Sequence, residues 1–76
     1  MSDDDFDTSW IAAFAAEADL EPPGADEVAR LLAIAARAAH DSGDRRNAPL
    51  SCFLVGLRLG RDGAVPDAAA LDRYAG

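Results

Sequence analysis

The sequence predicts an all-α domain, a compact three-helix bundle with an acidic N-terminal tail and a weakly ordered C-terminus. Two observations lead there. Apolar residues recur at helical spacing in three segments, and proline or glycine clusters interrupt the chain between them. With 76 residues, the chain makes one domain near the small end of what folds alone. Such a domain buries only about 60% of the surface its unfolded form exposes. Half of the residues are hydrophobic, yet many of these are Ala, so a few large side chains carry the core.

Residues 1–7 read as a disordered acidic tail with Phe6 embedded in it. Asp7, Thr8 and Ser9 are candidate N-caps, because their oxygens can accept bonds from the free amides of a first turn. Trp10, Ile11, Phe14, Ala15 and Ala18 then give a first helix over about residues 9–19. Glu21-Pro22-Pro23-Gly24 ends it. A second helix runs from Ala25 or Asp26 to about His40, with Val28, Leu31, Leu32, Ala35, Ala36 and Ala39 as its apolar stripe. Asp26 and Glu27 sit at its positive end, and Arg37 and His40 at its negative end. Gly43 offers a left-handed stop.

Pro49 suits the first turn of a third helix, where a missing N–H costs nothing. Leu50, Phe53, Leu54 and Leu57, with Arg58 or Leu59, give the expected inward stripe of that helix. The three helices span 8–61. Residues 62–76, with Leu71 and Tyr74 after Pro66, are expected to be flexible or briefly helical.

Composition excludes several functions. The net charge is −7, with 14 acidic residues against 7 basic ones, all of them Arg. That balance repels phosphate backbones and anionic lipid, so neither nucleic acid nor membrane is an expected partner. Cys52 is the only cysteine, which rules out an intramolecular disulfide and a Cys-based zinc site. The opening Met-Ser-Asp-Asp-Asp lacks the basic and apolar regions of a secretory signal, so the chain is expected to be cytoplasmic.

The candidate functional residues cluster around the start of the third helix. His40 is the one side chain whose charge can change near neutral pH. It either caps helix carbonyls or makes a functional contact beside the interhelical loop. Arg45 and Arg46, with Arg37 and Arg61, form either a solvated set or a local basic spot suited to carboxylate or phosphate. Ser51 and Cys52 near His40 invite comparison with a nucleophile–base pair, but a thiol in an apolar helix behaves as a small hydrophobe. Gly56 and Gly60 share a helix face and let another backbone approach. Tight packing against the Ala-rich faces of the other helices is the expected use, with self-association or partner docking as the alternative. An acyl-carrier role would need a serine opening a helix; Ser42 in His-Asp-Ser-Gly-Asp departs from that pattern. No metal or cofactor is called for.

The run Leu31-Leu32-Ala33-Ile34-Ala35-Ala36-Arg37-Ala38-Ala39-His40, then Ala48-Pro49-Leu50-Ser51-Cys52-Phe53-Leu54-Val55-Gly56-Leu57 and Gly60-Arg61, resembles a small bacterial helical domain family of unknown function. Trp10 matches that family's early tryptophan, and Ser51-Cys52 departs from its usual Thr-Thr pair. Members occur alone or fused to a molybdenum cofactor guanylyltransferase. The resemblance therefore implies an accessory role near molybdopterin guanine dinucleotide synthesis, with a molybdenum cofactor nucleotidyltransferase as partner. The expected function is a non-catalytic interaction module docking around His40, Arg45, Arg46, Pro49, Ser51 and Gly56. The alternatives are a binder of a nucleotide or pterin phosphate, and a homo-oligomeric structural domain.

Overall fold

In a computed structural model, which describes residues 7–64 and 67–75, four helices follow one another along the chain: α1 (Ser9–Glu17), α2 (Ala25–Ser42), α3 (Asn47–Arg61) and α4 (Ala68–Ala75). The expected acidic tail lies, over residues 1–6, outside the described residues, as do Val65, Pro66 and Gly76. The expected three-helix bundle is thus a four-helix domain. The added helix is a structural part of it, because Leu71 on α4 is only 3% exposed.

Local chemistry sets the helix ends. Asp7 starts α1: its Oδ1 accepts bonds from the Ser9 amide at 2.9 Å and the Ser9 hydroxyl at 2.7 Å. Those two bonds hold the Asp7 carboxyl below the usual carboxylate range, the hydroxyl first. The end of α1 is a reversed turn in which Leu20 donates to the Ala15 carbonyl at 2.8 Å and Asp19 takes a left-handed φ of 59°. Gly43 ends α2 as expected, with φ 74° and its amide on the Ala39 carbonyl. Asp67 caps α4 by accepting the Ala70 amide at 2.9 Å.

The core is four side chains: Ile34 of α2, Val55 and Leu59 of α3, and Leu71 of α4, with Leu31, Cys52 and Tyr74 packed around them. Both α3 and α4 close onto α2, which makes α2 the central helix. Two arginines on one face of α2 tie α4 down. Arg30 Nε reaches Asp72 Oδ1 at 2.9 Å, and Arg37 Nη1 donates to the Tyr74 carbonyl at 2.8 Å near the end of α4. The Asp72 carboxylate raises the Arg30 guanidinium above its ordinary value.

Three expected apolar stripes are corrected in part, since Ala15 and Leu59 are buried as expected and Val28, Leu31, Ala35 and Ala39 are half-buried. On α3, Leu50, Phe53, Leu54 and Leu57 face solvent, and Val55 and Leu59 face the core. On α2, Ile34 is the buried residue, and Leu32 is 47% exposed. On α1, Ala15 is buried while Trp10 and Phe14 are exposed. The reason is the same for α1 and α3: both are apolar around most of their circumference, so spacing alone cannot choose a face. On α2 the Ala-rich sequence leaves the choice to whichever side the two later helices occupy.

Because Leu71 completes the core, Leu71→Ala should lower the free energy of unfolding by about 2–5 kcal/mol, read from urea denaturation. A change too small to measure would place α4 outside the cooperative unit.

Candidate functional site

The loop between α2 and α3 is built around Ser42. Its hydroxyl donates to the Ala38 carbonyl at 2.6 Å and accepts from Asn47 Nδ2 at 2.9 Å and the Asp44 amide at 3.2 Å. Asp44 in turn accepts the Arg46 amide at 2.9 Å and holds the Arg46 guanidinium through both oxygens. The guanidinium first, then the amide, keeps the Asp44 carboxyl below its usual range. Ser42 is therefore a structural hydroxyl, and Arg46 is engaged within its own loop.

The residues singled out from the sequence occupy different surroundings. His40 is exposed, with Nδ1 3.5 Å from Asp41. Arg45 and Pro49 are exposed, whereas Ser51 is half-buried. Ser51 lines a shallow hollow of about 200 Å³ with Arg37, Asp41 and Tyr74. Gly56 lines a separate, more apolar hollow of about 410 Å³ with Pro22, Pro23, Leu31 and Leu71. None of His40, Arg45 and Arg46 lines either hollow. Cys52 is half-buried, and its thiol points to the Leu31 carbonyl at 3.7 Å. Burial pushes that thiol above its ordinary value. Among the described residues no group of three His, Cys, Asp or Glu side chains could hold a metal ion.

The feature that stands out is one the sequence stripe concealed. The outer face of α3 carries Leu50 at 60% exposure, Phe53 at 66%, Leu54 at 61% and Leu57 at 52%. Gly60 lies beside them, whereas Gly56 lies on the flank of α3 toward the hollow it shares with Leu31, Leu59 and Leu71; a Cβ built on either glycine meets nothing within 4 Å. The expected tight packing of this glycine pair against the other helices is corrected: the pair faces open space. A helix apolar all round is ordinarily buried all round, and here half of it is bare. No described helix is long and apolar enough to cross a membrane.

Fold and surface together define a small helical module built around a bare apolar helix face. The chain belongs to the family described as a domain of unknown function, DUF6457, whose model matches residues 3–76. No curated protein and no solved structure matches it.

Since nothing crowds Gly56, Gly56→Ala should gain helix propensity and stabilise the dilute protein by about 0.5–1 kcal/mol in urea unfolding. Destabilisation would show that the glycine is packed within its own chain. The Cys52 thiol should be alkylated more slowly than free cysteine, with its pH–rate midpoint shifted upward. A midpoint at or below that of free cysteine would contradict the burial.

Proposed function

We propose that this chain is a non-catalytic helical interaction module whose docking surface is the outer face of α3. The observation that carries this reading is the row Leu50, Phe53, Leu54 and Leu57, each more than half exposed on a single helix. Exposed apolar side chains scattered singly are ordinary on a protein surface, but a contiguous set on one element marks an interaction site. Gly60, open beside the row, would let a partner helix approach closely. Cys52 is half-buried with its thiol held above its ordinary value, and His40 does not line the hollow that Ser51 edges, so neither supports a nucleophile–base reading.

The resemblance supplies the finer form of the proposal, in which the partner is a molybdenum cofactor nucleotidyltransferase and the setting is cytoplasmic. Co-purification of the tagged chain with such an enzyme tests both levels. Phe53→Glu and Leu57→Glu should each reduce capture by more than about tenfold, while His40→Ala and Arg45→Ala leave it unchanged. Capture lost with His40→Ala and retained with Phe53→Glu would move the surface to the loop between α2 and α3. Absence of any capture would remove the nucleotidyltransferase as partner.

A further inference from the structure

We infer that α1 of a second copy of this chain covers the outer face of α3, each copy lending its α1 to the other in a reciprocal dimer. The inference rests on the reading of that face as a docking surface and names its occupant.

Helix α1 is the second element with an uncovered side, although Ala15 is buried and Trp10 and Ile11 edge a hollow with α2. No Cα of α1 comes within 8 Å of a Cα of α2, α3 or α4. Its sequence, Ser-Trp-Ile-Ala-Ala-Phe-Ala-Ala-Glu, is apolar on nearly every side. Trp10 is 71% exposed and Phe14 53%, with their rings stacked 5.4 Å apart. The chain thus presents two apolar helices, each lacking a neighbour on one side. The alanines of α1 give it a small face, and Gly60, whose Cβ position is open, leaves room for such a face beside the apolar row of α3.

Charge chooses between the available occupants. Residues 1–29 hold nine of the fourteen acidic residues and no basic one. Residues 45–61, which contain α3, hold four of the seven arginines and no acidic residue. Around α1, Glu17, Asp19 and Glu21 are exposed; around α3, Arg45 and Arg61 are exposed, while Arg46 is paired with Asp44 and Arg58 with Asp62. An α1-on-α3 contact therefore sets an acidic rim against a basic one. An α3-on-α3 contact would oppose arginines instead.

Geometry favours a second copy over the chain's own α1. Trp10 and Ile11 edge a hollow with Val28 and Leu32 of α2, and Pro22 and Pro23 seat the linker beside Leu31 and Leu71. The bare face of α3 points away from α2. A two-fold pair repeats one contact twice and covers both bare helices of both chains. The six large side chains involved expose on the order of 700 Å² per chain, close to the ~800 Å² per partner of a stable specific interface.

The test is the mass of the full chain in solution across a wide concentration range, by sedimentation or light scattering. Twice the 7.9 kDa chain mass is expected as concentration rises, with a blue shift in the emission of Trp10, the only tryptophan. The pairs Trp10→Ser with Phe14→Ser, and Phe53→Glu with Leu57→Glu, should each raise the dissociation constant by more than about tenfold while helical circular dichroism is retained. Mixing the two variants should restore association, because one intact α1 then meets one intact α3. A wild type that stays at 7.9 kDa throughout overturns the inference. It leaves the docking face to be judged separately by the capture experiment. A dimer that survives the α1 changes, or a monomer whose Trp10 emission is already blue-shifted, also overturns it.

Discussion

Ile34, 3% exposed, is the side chain on which the rest of the structure depends. It is the α2 member of the buried cluster with Val55, Leu59 and Leu71, so α3 and α4 meet α2 in one shared core. The polar ties repeat this arrangement at the surface, since Arg30 and Arg37 both reach from α2 to α4. With so short a chain, a central helix flanked by two others leaves room for only a four-residue core.

That narrow core explains what remains outside. Fully burying a leucine or phenylalanine contributes roughly 1.5–3 kcal/mol. Four such residues on α3, each more than half exposed, leave several kcal/mol of apolar surface unused. A small domain has a net stability of only about 5–15 kcal/mol, so the unused surface is comparable with the stability of the fold itself. The sequence is richer in large apolar residues than its own core can accommodate, and the excess lies on α3 and α1 rather than being spread over the surface.

How much could be read from the sequence varies with the kind of information each residue carries. The break after α2 was legible because glycine acts locally: Gly43 ends that helix as its chemistry requires, whereas α1 stops at Glu17 in the left-handed turn at Asp19, ahead of the expected Glu21–Gly24 break. Helix α4 was only half legible. Asp67 is a good cap, but three successive alanines dilute the pattern in which Leu71 and Tyr74 stand. The facing of α3 was illegible for a different reason. Residues 50, 53, 54 and 57 satisfy helical spacing as well as 52, 55 and 59 do, and only the position of α2 selects the second set. Of the site residues, Gly56 and Gly60 were legible as unusual, whereas their open side depends on where the other helices end up.

The glycines also bear on why the exposed face is more than an accident of a small core. Each glycine inside a helix costs up to about 1 kcal/mol relative to alanine. A left-handed φ justifies Gly43 and Gly63, at 74° and 68°. Gly56 and Gly60 lie within an ordinary helical stretch, and a Cβ at either would meet nothing within 4 Å. Nothing within the monomer offsets their cost, and alanine would fit both positions. Close approach of another backbone along α3, as proposed above, would compensate for the cost of these glycines.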